Sequence, residues 1–256
     1  MKQTEPSIVA DALLAARCSG QPADALALAR HVTTPADAYA VQALVARGMH
    51  ADDGRCPKAW KSGGPSRTAE PTHARLPASG VWASPADAKA WPFNLRLIEV
   101  EIALRLGQDV TPARASALSH EDAPALVDAM AVSIEIVDSR WQQGVAAPAL
   151  LKLADLQSHG ALVLGTWVAF APRDWPAQAC TVQIGNGAAR EFHGTHSMAD
   201  PAWVLPAWLR HATRAGATMS AGTVVTTGTW CGMLPATVGD RVTAHFAGIG
   251  EASVQL

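Results

Sequence analysis

The chain has 256 residues, 49% of them hydrophobic and 16% charged, with a formal net charge of −2. That balance supports a sizeable packed core, argues against disorder, and offers no basic footprint for nucleic acid or an anionic membrane. No apolar run is long enough to span a bilayer, the stretch through Arg17 carries Glu5 and Asp11 without a signal-peptide core, and Cys18, Cys56, Cys180 and Cys231 form no C-x-x-C pair, so a cytoplasmic globular protein with reduced thiols is expected.

From Pro6, the spacing of Ile8, Val9, Leu13 and Leu14 predicts a helix with Arg17 in its last turn. Thr34 as cap and Pro35 in the first turn predict a second helix ending near Gly48, with Tyr39, Val41, Leu44 and Val45 on its apolar face. Between Asp52 and Pro92, Gly, Pro, Ser and charged residues surround Gly63-Gly64-Pro65, which reads as a linker or a long functional loop. Strands are predicted over 97–104, 132–138, 162–170, 180–184, 223–227 and 241–246, with a hairpin turn at Gly185-Asn186-Gly187. A helix over about 121–131 follows from the capping spacing of Ser119 and Asp122. Another runs from Asp200-Pro201 to Gly216, with Pro206 either kinking it or delaying its start. Strands and helices do not alternate regularly, which disfavours a doubly wound parallel sheet. The expected fold class is α+β: a helical region with its loop over 1–92, then a strand-rich body over 93–256.

Three segments could carry chemistry. On a strand, Ile98, Val100 and Ile102 point to one face, and Glu99 and Glu101 to the other, close enough to converge on one cation. All-oxygen ligation suits Mg²⁺, Mn²⁺ or Ca²⁺ better than zinc; two solvated carboxylates are the bland alternative. Glu135, opposite Ile134 and Ile136 on the later strand, could supply a third carboxylate. Asp138 and Arg140 at that strand's end could form an orienting ion pair or an ordinary salt bridge. Lys61, followed by Ser62-Gly63-Gly64, could place its ammonium beside a bound anion and move protons if buried near a metal; otherwise it is a solvated loop lysine. His193 and His196 could pair on a metal but read more readily as structural, and Cys231 has no base beside it in the sequence.

Trp60-Lys61-Ser62-Gly63, Ile98-Glu99-Val100-Glu101-Ile102-Ala103 and Ile134-Glu135-Ile136-Val137-Asp138-Ser139-Arg140-Trp141 occur in an order that resembles the 2-keto-4-pentenoate hydratase group of the fumarylacetoacetate hydrolase superfamily. That group includes 2-hydroxypentadienoate hydratases and 4-oxalocrotonate decarboxylases. Ala221-Gly222-Thr223-Val224-Val225-Thr226-Thr227-Gly228-Thr229 and Val238-Gly239-Asp240 extend the resemblance over nearly the whole chain. The resemblance implies a mixed β-sandwich roll and a Mg²⁺ or Mn²⁺ ion held by Glu99, Glu101 and Glu135. It further implies that Lys61 is catalytic and that Ser66, Arg140, Ser158 and Thr229 lie at the substrate. The implied enzyme is a lyase of aromatic-compound breakdown that adds water to a 2-hydroxy-2,4-dienoate to give a 4-hydroxy-2-oxo acid. A 4-oxalocrotonate-type decarboxylase and a non-catalytic, keto-acid- or metal-binding partner subunit are the alternatives. A homo-oligomer, or pairing with a pathway enzyme, is implied as well.

The chain departs from the group's pattern in places. Ala78-Ser79-Gly80 stands where an Asp-Tyr-Gly motif is usual, which removes an acidic partner for Lys61; Asp87 and His73 are candidate substitutes. Pro65 replaces a threonine and Leu156 an asparagine, while Asp155 and Ser158 match. No histidine dyad like that of the superfamily's C–C-bond hydrolases precedes Glu99, although His31, His50 and His73 are present, so hydrolysis ranks below hydration.

Overall fold

Helix α1 (Glu5–Ser19) takes Pro6 in its first turn and buries Val9, Ala10, Leu13 and Ala16. After the short α2 (Ala25–Leu28), α3 (Pro35–Gly48) begins at the expected cap. The Thr34 hydroxyl accepts from the Asp37 N–H at 3.2 Å, and the Asp37 carboxylate accepts from the Thr34 N–H at 2.9 Å. This reciprocal box satisfies two donors that a helix start otherwise leaves open. The computed structural model describes residues 5–49 and 58–256; His50 and Cys56 lie outside them.

The remaining elements are β1 (Ala59–Gly63), β2 (Thr72–Arg75), β3 (Val81–Ala83), β4 (Ala86–Asp87), β5 (Leu97–Leu106), α4 (Pro112–Ala117), β6 (Val127–Val137) and α5 (Ala149–Ala154). They continue with β7 (His159–Leu164), β8 (Val168–Ala169), β9 (Ala179–Ile184), β10 (Arg190–His193), α6 (Leu205–Thr213), β11 (Val224–Thr226), β12 (Leu234–Pro235), β13 (Arg241–Phe246) and β14 (Gly250–Gln255). A nine-stranded mixed sheet runs β2-β1-β11-β5-β6-β7-β3, with β12 on β5 and β8 on β6; a five-stranded sheet runs β10-β9-β13-β14-β4. One core cluster joins the two sheets, from Ile98, Val100 and Ile102 on β5 to Val242, Ala244 and Phe246 on β13. A second packs α1 and α3 on Trp141 and α5. The class is the α+β, strand-rich arrangement expected. Among the described residues no helix is long and apolar enough to cross a membrane.

Three expectations need correction. The stretch read as a loop around Lys61 contributes strands: Lys61 pairs with Thr226 of β11 on one side and Ala74 of β2 on the other. The nine-stranded sheet therefore runs across residue 92. The helix expected over 121–131 is a 3₁₀ turn, Ala123–Leu126, followed directly by β6. Ser119 does bond Asp122, but the long ladder between β6 and β5 outweighs that local signal. The strand expected over 162–170 breaks at Gly165, where a Cβ would meet the Glu251 carbonyl oxygen at 2.5 Å. Pro206 sits in the first turn of α6, after a 3₁₀ turn over Pro201–Val204, so the proline delays the helix rather than kinking it.

Candidate active site

The alternation of β5 buries Ile98, Val100 and Ile102 in the core and turns Glu99 and Glu101 to the other face. On β6, Glu135 is the direct register partner of Glu99, and Ser133 that of Glu101. One oxygen from each of Glu99, Glu101 and Glu135 lies within 4.8 Å of the others. Among the described residues this is the one such cluster of His, Cys, Asp or Glu; His193 and His196 do not form another. His193 pairs with Glu191 at the surface, while buried His196 donates through Nε2 to the Thr227 carbonyl at 2.8 Å.

Each glutamate has a distinct setting. Glu101 accepts from the Thr226 hydroxyl and, at 2.9 Å, from the Gly228 N–H. Gly228 has φ +110°, a conformation glycine adopts without the Cβ penalty. Oε1 of Glu135 accepts from Lys61 Nζ at 2.6 Å and faces His159 Nδ1 at 3.0 Å. Its Oε2 is buried without a partner. Burial, with Glu135 and Glu101 beside it, pushes the Glu99 carboxyl up to about 8 despite Lys61. Burial and Glu135 push Glu101 to about 7. Burial acts the same way on Glu135, but Lys61 and His159 outweigh it and hold that carboxyl below its usual range. Lys61 stays above its ordinary value because Glu135, Glu99 and Glu101 together exceed the effect of its burial.

Three clustered carboxylates faced by one ammonium leave an excess of negative charge, which adds to burial in making two of them resist ionisation. A divalent cation would remove the excess, and the unpartnered Oε2 of Glu135 is an oxygen free to hold it. The residues present therefore fit a hard divalent ion. A pH signature follows. In the metal-free protein Glu99 and Glu101 keep protons that the unfolded chain releases above about 4.5. Stability should then fall as pH rises toward about 8, by up to about 1.4 kcal/mol per pH unit for each retained proton. The buried histidines, held below 6.5, act oppositely at lower pH. The measurement is therefore the melting temperature of metal-free protein from pH 7 to 8, compared with Glu99→Gln. A parallel profile in the two proteins would contradict the buried-carboxylate picture.

Lys61 Nζ also donates to the Gln157 carbonyl at 3.1 Å. That carbonyl sits on a turn in which Leu156, Gln157 and Ser158 all have positive φ, 51°, 54° and 59°. Three successive non-glycine residues there store strain of about 1–2 kcal/mol each. The turn is anchored by Asp155, whose carboxylate grips Arg140 Nε at 2.7 Å and Arg17 at 2.9 Å.

The two sides of this centre differ. A polar lobe of ≈ 470 Å³ is lined by Lys61, Ser62, Glu99, Glu101, Thr195, Ser197 and Thr229, among others. A largely apolar lobe of ≈ 350 Å³ shares Glu99 and Gln157 with it and includes Ser158. Of the residues expected at the substrate, Thr229 and Ser158 thus line the lobes. Ser66 bonds Thr68 at 3.0 Å and lines neither. Arg140 is buried in ion pairs with Asp138 and Asp155, which makes it a clamp on the strained turn. Asp87 pairs with Lys89 at the surface and does not approach Lys61; His73 meets the neighbouring Ser62 hydroxyl at 2.9 Å. The acidic group that Lys61 meets is Glu135, at 2.6 Å. Cys231 is buried beside the Thr229 hydroxyl, and burial pushes its thiol up, away from reactivity. His159 and Thr226 were not singled out in the sequence; a histidine opening a strand beside the matching Asp155 and Ser158 was the available signal for His159.

Residues 74–256 match the family model described as fumarylacetoacetate (FAA) hydrolase C-terminal, and the chain belongs to that family. A comparison with curated proteins returns no match. Among solved structures, the chain is similar to 4-oxalocrotonate decarboxylase from Pseudomonas putida G7 complexed with magnesium and adipate. The TM-score is 0.84 at 20% identity, covering 100% of this chain and 98% of that one. It is similar to 2-hydroxyhepta-2,4-diene-1,7-dioate isomerase from Mycobacterium marinum, with TM-score 0.58 and 19% identity over 78% of this chain and 74% of that one. Fumarylpyruvate hydrolase from Pseudomonas aeruginosa, in complex with Mn²⁺ and pyruvate, matches with TM-score 0.53 and 16% identity over 77% and 88%.

Proposed function

We propose that this protein is a divalent-metal-dependent lyase that enolises a 2-oxo acid and adds water to a 2-hydroxy-2,4-dienoate, within aromatic-compound breakdown. The observation that carries this reading is the meeting of Glu99, Glu101 and Glu135 beside Lys61, at the wall of a hydroxyl-lined polar lobe. The three carboxylates would hold Mg²⁺ or Mn²⁺, which when bound supplies a Lewis acid for the substrate's carboxylate and 2-oxygen and for enolate charge. Binding of Mn²⁺ and pyruvate by the hydrolase, and of magnesium and adipate by the decarboxylase, supports that assignment.

The chain's own groups then divide the work. Ketonisation moves the enol proton to C5 and leaves a 2-oxo-3-enoate; hydroxide adds to C4 and a proton to C3. Lys61 would carry those protons, a role supported by its ammonium being held on Glu135 and the Gln157 carbonyl. Ser62, Thr195, Ser197 and Thr229 furnish a polar lobe able to house the attacking water. The apolar lobe keeps the tail out of solvent.

A second reading is decarboxylation of a 4-oxalocrotonate-type acid, in which the bond to the terminal carboxylate breaks and its electron pair enters the same dienolate. The full-length likeness to the Pseudomonas decarboxylase favours keeping it. Incubation with 2-hydroxypenta-2,4-dienoate and Mg²⁺ should bleach the dienol absorbance, release no CO₂ and yield 4-hydroxy-2-oxopentanoate. Release of CO₂ from 4-oxalocrotonate with no hydration of the dienoate would establish the second reading instead. Turnover of neither with saturating Mg²⁺ or Mn²⁺ would overturn both.

A further inference from the structure

A further cavity of ≈ 440 Å³ lies between α3, β2 and α6, with Tyr39, His73, Arg210, His211 and Arg214 in its walls. It has no lining residue in common with the polar lobe. Its charges are unbalanced. Among the described residues its one acidic group is Glu70, which forms no ion pair there with Arg210 or Arg214. The two guanidiniums reach only main-chain carbonyls, Arg210 that of Leu118 at 3.4 Å and Arg214 that of His211 at 2.5 Å. Burial, then Arg214 and Arg75, pushes the His211 imidazole down to about 3. Burial, then His211 and Arg214, holds His73 well below its ordinary value. The cavity is thus crowded with groups of one sign, and a bound anion would relieve that crowding.

The walls say what kind of anion fits. Tyr39, His211 and His73 form a run of rings, with centroids 4.2 and 4.7 Å apart and planes inclined by 53° and 46°. Arg214 lies over the Tyr39 ring, 5.6 Å from its centroid. The Tyr39 hydroxyl accepts from the His73 N–H at 3.3 Å and keeps its own hydrogen to donate. Among the described residues neither ring nitrogen of His211 has a hydrogen-bond partner. Inclined rings offer edges and faces to a flat guest, and a guanidinium meets a carboxylate at two points. Phosphate would match the charge and leave the ring walls unused. We propose that this cavity binds a planar aromatic carboxylate, as a second ligand site distinct from the metal centre. The inference does not depend on the reaction proposed above. His73 separates the two cavities, its Nδ1 meeting the Ser62 hydroxyl of the polar lobe at 2.9 Å, so both ligands can be bound together.

Tyr39 is the single tyrosine of the chain, so labelling with 3-fluorotyrosine gives one fluorine resonance, located at this cavity. The labelled, metal-free protein is titrated with benzoate, cyclohexanecarboxylate and inorganic phosphate. Benzoate should shift the resonance saturably and bind at least about fivefold more tightly than either other anion. Arg214→Met should weaken benzoate by at least about tenfold. Saturating Mg²⁺ and oxalate should leave benzoate affinity within about twofold. No shift with benzoate up to about 20 mM, or equal or tighter binding of either other anion, overturns the inference. Undiminished binding in Arg214→Met overturns it too; should that variant misfold, the ranking of the three anions in the unaltered protein decides. Displacement of benzoate by Mg²⁺ and oxalate places it in the active site and overturns the separate site. Failure of oxalate to bind counts against the metal centre alone.

Discussion

Glu101→Gln should weaken Mn²⁺ binding by more than about 100-fold and abolish metal-dependent turnover, while making the metal-free protein more resistant to heat. The first part follows from removing one of three carboxylates whose oxygens lie within 4.8 Å of each other. The second follows from the cost the site imposes on the fold. Burial and Glu135 already push the Glu101 carboxyl to about 7, so at pH 8 its charge is held against resistance. A glutamine of nearly the same shape keeps an oxygen for the Thr226 hydroxyl and the Gly228 N–H, and relieves Glu99 and Glu135 of a like charge. For a chain of this size the gain is about 2–4 °C in melting temperature per kcal/mol of repulsion removed. A stabilising substitution that destroys function is the mark of a residue kept for chemistry. Calorimetry with Mn²⁺ and scanning calorimetry without it read the two effects. Unchanged Mn²⁺ affinity would remove Glu101 from the centre, and a lower melting temperature would make it a structural residue.

Lys61→Met should have the opposite balance. Turnover should fall by about 10²–10⁴-fold, the range for loss of a general acid–base group. Mn²⁺ should still bind, since no ligand is removed. The metal-free variant should unfold more easily, by on the order of 3 kcal/mol, because the clustered carboxylates, two of them fully buried, lose the ammonium that Glu135 holds. Saturating Mn²⁺ should restore most of that stability by supplying the missing positive charge. In the metal-free protein the three glutamates hold the lysine's proton tightly. A divalent charge beside it would loosen that hold and bring the group toward the range where it both gives and takes protons. Steady-state turnover, with melting curves at increasing Mn²⁺, separates these effects. Full activity in the variant would exclude Lys61 from the mechanism.

The parts of this site visible in the sequence are those set by strand periodicity. Glu99 and Glu101 share a face because alternate residues must, and Glu135 follows the same rule on its own strand. Their union depends on the β5–β6 register, which places Glu99 opposite Glu135. Lys61 was recognisable by its neighbours but not as part of a strand. Its ladder partner Thr226 lies far along the chain, and no local pattern reports a parallel pairing at that separation. The turn Leu156–Ser158 was equally hidden, because three consecutive left-handed residues without glycine contradict local preference and persist through Asp155, Arg140 and Arg17. Helix α5 is only six residues long, too short for a periodic signal, and it contributes Lys152 to the lining of the apolar lobe. The helix wrongly expected over 121–131 shows the converse error, a true local capping bond overruled by long-range pairing.

Glu99, Glu101 and Glu135 are proposed to hold one divalent ion at which a 2-oxo acid head binds. A crystal soaked with Mn²⁺ and oxalate, with anomalous diffraction recorded at the manganese edge, addresses it directly. One anomalous peak per chain, bonded to an oxygen of each of the three glutamates and to both oxalate ends, is the predicted result. A manganese peak elsewhere, or none at saturating Mn²⁺, would contradict it.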